Sequence, residues 1–156
     1  AAKQGAQVEL VAHSSLEQAR NKAFSYNQRY GVSIGYVDGI SDAAKQEVLD
    51  KSAVALCAAA AGVRVISTEQ IAHSKTLRVI ADVNAVAPTG AEGVGVKMDG
   101  VVIEGTKALG IGALAIGDLK YKTQHMLLKQ MLEADKPLYL EFMAAFEAAR
   151  GLLKDA

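Results

Sequence analysis

Along the first 85 residues the apolar pattern switches repeatedly between period two and helical spacing, and this alternation constrains the fold more than any other feature. Residues 7–12 alternate like a strand, with Val8, Leu10 and Ala12 on one side, and then Leu16, Ala19 and Ala23 fall at helical spacing as far as Tyr30. Ser14 or Ser15 stands where a serine oxygen would cap the first-turn amides of that helix. Residues 32–37 return to β-branched alternation, and Ser41 then caps a short helix through Leu49. The cycle repeats with SAVALCAAAAG (52–62) as a buried strand, a short helix over 68–73, and LRVIADVNA (77–85) as another strand. Strands separated by helices predict a parallel sheet, because parallel neighbours need crossover connections. Residues 1–4 read as the last turn of a helix stopped by Gly5, since glycine takes the left-handed conformation cheaply.

The character changes at Ala85. The stretch VAPTGAEGVGVKMDGVVIEGTK holds Pro88 and too many glycines for a helix, so it is expected to be loop with a short strand at 101–103. Residues 108–134 read as helix, and Pro137 is placed to open a last helix ending near Leu153. The expectation is one Rossmann-like α/β domain over 1–156, its sheet incomplete at the N-terminus, with 107–156 as C-terminal helices. Seventeen basic and seventeen acidic residues cancel, so nothing asks for nucleic acid as a partner. The single cysteine, Cys57, forms no internal disulfide and fits a reducing compartment, with the cytoplasm expected. The apolar run 53–63 is too short to span a bilayer, so no membrane partner is expected. His13, His73 and His125 lack metal-ligand spacing, and no G-x-S-x-G elbow occurs.

In open parallel sheets ligands sit at the carboxyl ends of the strands, and four short stretches fall there. His13, Ser14 and Ser15 end the first strand read here, at the place where a dinucleotide fold meets the adenosine ribose. Cofactor contact and simple helix capping are both open for them. No acid follows before Glu17, so the turn tolerates a 2′-phosphate; NADP is expected ahead of NAD, with Arg20 as a further contact. Ala59 and Ala60 are small enough to let the nicotinamide ribose approach, or simply fill a tight core. Asn84 carries both a donor and an acceptor, matching a carboxamide, while Asp82 either joins it or closes a turn. Cys57 reads as a buried, unreactive thiol. The stretch GIGALAIG (110–117) has the wrong glycine spacing for a phosphate loop and is not expected between a strand and a crossover helix; close packing of small residues explains it.

Two longer stretches carry a resemblance. IADVNAVAPTGAEGV (80–94), with its Asp-x-Asn-Ala element before a proline-glycine loop, and KALGIGALAIGDLKYKTQH (107–125), with Leu-Lys-x-Lys, together resemble the bacterial NAD(P)-dependent methylenetetrahydromethanopterin dehydrogenases. GAQVEL and CAAAAG agree in order, so the similarity covers nearly the whole chain. It implies hydride transfer between methylenetetrahydromethanopterin and NADP, or NAD, giving the methenyl form. It also implies an N-terminal domain, a first strand and a glycine turn ahead of Gly5. The implied catalytic residue is Lys120, contacting the pterin from a helix start, with Lys122 turned away. Family members place Arg or Lys at the His13-Ser14-Ser15 turn, and this sequence has neither. Implied partners are tetrahydromethanopterin or a related pterin, and either further copies in a homo-oligomer or a complementing N-terminal chain. A methylenetetrahydrofolate or amino-acid-dehydrogenase-like enzyme, and a non-catalytic nucleotide-binding or assembly module, remain the alternatives.

Overall fold

A computed structural model describes residues 1–154. A 3-10 turn, Ala2–Gln4, leads into Gly5, whose φ of 85° lets its amide reach back to the carbonyl of Ala2. Strand β1 (Val8–Ala12), helix α1 (Leu16–Tyr30) and strand β2 (Ile34–Asp38) then form a parallel β-α-β unit. The capping serine of α1 is Ser15, whose oxygen accepts from the amide of Gln18. Asn27 ties the end of α1 to the start of β2, its side chain both donating to and accepting from the Ile34 backbone. The inward positions Ala19 and Ala23 are small, so the helix lies close on the strands.

Helix α2 (Asp42–Leu49), capped by Ser41 as its position predicts, leads to β3 (Val54–Cys57), α3 (Thr68–His73) and β4 (Val79–Asp82). Beyond the glycine-rich stretch come β5 (Asp99–Val102), β6 (Leu109–Ile111), the long α4 (Ala113–Glu133) and α5 (Phe142–Lys154). The second sheet has the order β3-β4-β6-β5, parallel except for β5. Its core, which includes Leu49, Ile71, Leu77, Ile80, Val94 and Ile103, lies on one face. The architecture is Rossmann-like α/β with C-terminal helices, as the alternation predicts, but the strands fall into two separate sheets, β1-β2 and the four-stranded one.

Three expectations need correction. The stretch 52–62 is not a buried strand: pairing stops at Cys57, and Val54 and Leu56 are 54% and 69% exposed. Only Ala55 and Cys57 face the core, so one side of β3 is uncovered. Residues 108–134 do not begin as helix, because Leu109–Ile111 form β6 between β4 and β5. Ladders on both sides override helical propensity here, and Gly110 lets Met98 and Ile103 pack close, since a Cβ there would lie 2.9 Å from Met98 Sδ and 3.2 Å from Ile103 Cγ1. Pro137 does not open the last helix, which starts at Phe142.

GIGALAIG accordingly does join a strand to a helix, contrary to its expected placement, with Gly112 at the α4 N-cap. It is nevertheless a packing turn. The Leu114 amide donates to the Val96 carbonyl at 2.8 Å, and the 95–96 backbone covers Gly112 so closely that a Cβ there would lie 2.1 Å from the Gly95 oxygen. Backbone cannot retreat as a flexible side chain would, so Gly112→Ala is expected to cost about 3 kcal/mol or more in urea unfolding. Gly117→Ala meets nothing within 4 Å and is expected to stabilise α4 by about 0.5–1 kcal/mol. Equal stability of the two variants would refute this packing.

Candidate functional site

The carboxyl ends of β3 and β4 lie side by side, with Cys57 in register with Asp82. The Asp82 side chain is buried and both of its oxygens are occupied: Oδ1 accepts from the Asn84 amide and Oδ2 from the Ala91 amide, each at 2.9 Å. Gly90 permits this, because a Cβ there would lie 3.1 Å from Asp82 Oδ1. One carboxylate therefore holds both ends of the loop 83–91, which contains a cis Ala87–Pro88 bond. Asn84 continues the work: its Oδ1 accepts from the Val86 amide at 3.0 Å, and its Nδ2 points to the carbonyls of Pro88 and Ala60 at 3.4 and 3.5 Å. The Ala60 carbonyl also accepts from the Val63 amide at 3.1 Å, in a turn that Gly62 completes with φ of 74°.

Asp82, Asn84 and Ala60 thus form one assembly, with Ala59 beside them in the turn. The polar atoms of Asp82 and Asn84 face the protein's own backbone; what they offer outward is a firmly held rim of small residues, with Ala58, Ala60, Ala85 and Val86 exposed. Cys57 lies beneath the rim; burial first, and then the charge of Asp82, push its thiol up to about 12, which keeps it neutral and inert.

The remaining candidates lie elsewhere. His13 and Ser14 are exposed at the end of β1, while Ser15 is engaged as the α1 cap. Arg20 lines a cavity of about 350 Å³ with Leu16, Glu17 and Tyr36, a group that does not include His13 or Ser14. Lys120 is exposed about two turns into α4, not at its start, whereas Lys122 makes an ion pair with Asp118 at 2.7 Å. Sequence reasoning missed Gly90, Ala91 and Glu92. Glu92 accepts from the Thr68 amide at 3.0 Å and pairs with Arg64; chiefly the amide, and then the guanidinium, hold its carboxyl below the usual value. Its only sequence signal was an acid placed between two glycines of the glycine-rich stretch. Among the described residues no group of three or more potential ligands gathers into a metal site, and no helix is long and apolar enough to cross a membrane.

No family model matches the chain. Over 146 residues, 94% of its length, it is 39% identical to the "NAD(P)-dependent methylenetetrahydromethanopterin dehydrogenase" of Methylorubrum extorquens. The chain is a homologue of part of that enzyme. It spans about half the length of this curated relative, the match covering 49% of it. The stretches of sequence quoted above for the resemblance, including the Asp82–Asn84 rim, belong to a chain related to the dehydrogenase over almost its whole extent.

Asp82→Asn preserves shape but turns one acceptor into a donor facing an amide. It is expected to lower stability by about 2–4 kcal/mol and to release the Asn84 or Ala91 amide to fast exchange. Unchanged stability would show that the loop is held some other way. The Cys57 thiol is expected to react with an aromatic disulfide at pH 8 only as fast as the protein opens; immediate reaction in the folded chain would contradict its burial.

Proposed function

We propose that the chain is the nicotinamide-cofactor part of an oxidoreductase that moves hydride between methylenetetrahydromethanopterin and NADP, with NAD as the alternative cofactor. The observation that carries this reading is the 39% identity sustained over 94% of the chain. The geometry supports it: a Rossmann-like sheet presents, at its carboxyl edge, a rigid rim of small residues suited to a planar ring. NADP would supply the hydride acceptor, and the protein's task is alignment. Asp82 and Asn84 then act as positioning residues for the rim formed by 58–62 and 83–87. Ala59 and Ala60 lie against the nicotinamide ribose, His13 and Ser14 lie at the adenosine ribose, and Lys120 contacts the pterin. The protein works in the cytoplasm, as a homo-oligomer or with a complementing N-terminal part.

The direct test joins the unmatched half of the Methylorubrum extorquens enzyme ahead of Ala1 and follows NADPH formation with methylenetetrahydromethanopterin. Turnover supports the reading; a folded protein that reduces neither cofactor with this pterin overturns it. In the joined enzyme Ser14→Asp is expected to shift kcat/KM toward NAD, because a carboxylate repels a 2′-phosphate but accepts from a hydroxyl. An unchanged ratio would place the 2′ site elsewhere. Lys120→Ala should lower kcat/KM for the pterin by roughly 10–100-fold with little change in NADP affinity. Lys122→Ala should do much less, since its ammonium is already paired with Asp118. Equal effects would make Lys120 a surface lysine.

A further inference from the structure

One face of α4 lies bare along nearly its whole length. Leu114, Gly117, Tyr121, His125, Leu128 and Leu132 recur at steps of three or four residues, which on a helix puts them in one stripe. Leu114, Tyr121, Leu128 and Leu132 are each more than half exposed, and His125 is exposed as well. The helix buries its other side: Thr123 is buried, Leu119 and Met126 are half-buried, and α5 packs against the helix. A helix that rests one face on its own protein normally turns charge to the water from the other. In α4 the charges stand beside the stripe instead. Asp118, Lys122, Lys129 and Glu133 form one flank, joined as the ion pairs Asp118–Lys122 and Lys129–Glu133. A stripe of leucine and tyrosine about 30 Å long, bounded by charge, is a surface for contact.

We propose that this stripe pairs with the same stripe of a second copy of the chain, the two α4 helices lying antiparallel about a two-fold axis level with Thr123. A two-fold contact requires a surface that matches itself, and this one does when it is reversed. About that centre Leu114 comes level with Leu132 of the second copy, Tyr121 with His125 and, to within one residue, Gly117 with Leu128. Gly117 has nothing within 4 Å of where a Cβ would lie, so it leaves a hole in the stripe that the opposing Leu128 enters as a knob. Tyr121 and His125 are already stacked, with ring centroids 6.3 Å apart, so ring pair meets ring pair at the axis. On the flank, Asp118 comes to within one residue of Lys129 of the second copy, and opposite charges meet twice. A parallel pairing lacks this match: it sets Gly117 against Gly117 and Asp118 against Asp118. This match under reversal is what favours a second copy over a separate N-terminal part, whose surface has no reason to follow it. A face one helix long is smaller than the roughly 800 Å² per partner of a standard interface, so micromolar association is expected. The proposal goes beyond the function proposed above and needs neither cofactor nor pterin.

The experiment is sedimentation equilibrium of the chain and its variants from about 1 μM to about 1 mM, a range that brackets micromolar affinity. The chain is expected to pass from monomer to dimer within it. Leu128→Glu is expected to stay monomeric throughout with an unchanged circular dichroism spectrum, because Leu128 is exposed in the single chain. Gly117→Leu discriminates more sharply. It adds apolar surface and helix propensity, so indiscriminate apolar association would strengthen, whereas filling the hole is expected to weaken the paired helices by about tenfold or more. Asp118→Lys and Lys129→Glu are each expected to weaken the dimer by about tenfold, since by symmetry each reverses two contacts; the double variant is expected to recover to within about threefold. A monomer at every concentration overturns the proposal, as does a dimer indifferent to Leu128→Glu. A stronger dimer in Gly117→Leu, or no recovery in the charge-exchanged double variant, overturns it equally. The same dimer is expected in the protein joined to the relative's unmatched half, and a joined protein that folds as a monomer assigns the stripe to that half and overturns the second copy.

Discussion

The Asp82 carboxylate is the interaction on which the candidate site depends. Buried at the end of β4, it satisfies the amides of Asn84 and Ala91 at once and so fixes where the loop 83–91 leaves the sheet and where it returns. A buried carboxylate without donors would be costly, and two backbone amides at 2.9 Å supply what water would otherwise have given. Downstream features follow from this. Ala91 pairs with Ile66 in an isolated bridge, Glu92 meets the start of α3, and Asn84 carries the restraint across to the Ala60 turn. One side chain at a strand end thereby couples two loops that belong to different strands.

A second constraint is the division of the sheet. The core around Ile71, Ile80 and Ile103 is continuous from α2 to β6, but β1, α1 and β2 pack largely on themselves, through the alanines of α1. Each of the two sheets is internally paired, and no strand pairing joins them. The β3–β4 end of the proposed site is held in place by Asp82 and Asn84, whereas the β1 end belongs to a separate sheet.

Much of this was legible in the sequence. Ser15 and Ser41 fix the starts of α1 and α2 because a cap is a local matter of one oxygen and the amides beside it. A parallel α/β sheet followed from the alternation of periods, and its Rossmann-like character from the resemblance. Strand β6 was not legible: Ala-Leu-Gly-Ile-Gly-Ala-Leu-Ala scans as a helix, and only pairing with β4 and β5, brought from elsewhere in the sequence, makes Leu109–Ile111 a strand. The extent of β3 was overestimated because alanines after Cys57 look like core when read in one dimension, although Ala58 and Ala60 are exposed in a turn. The positions of Asp82 and Asn84 at a strand end could be read, but their bonding could not, since the partners Ala60 and Ala91 are brought by the fold from both sides in sequence.

The central claim is that the carboxyl edge of this sheet, with its rim held by Asp82, is a nicotinamide-cofactor surface. The most direct measurement is a titration of the isotope-labelled chain with NADP at millimolar concentration, following the backbone amide signals residue by residue. The account predicts weak binding, with shifts concentrated in 58–62 and 83–87 and a second group at 13–15. Shifts gathered instead around the apolar cavity lined by Tyr26, Tyr30, Phe142 and Phe146, or no shifts at the rim at saturating cofactor, would contradict it.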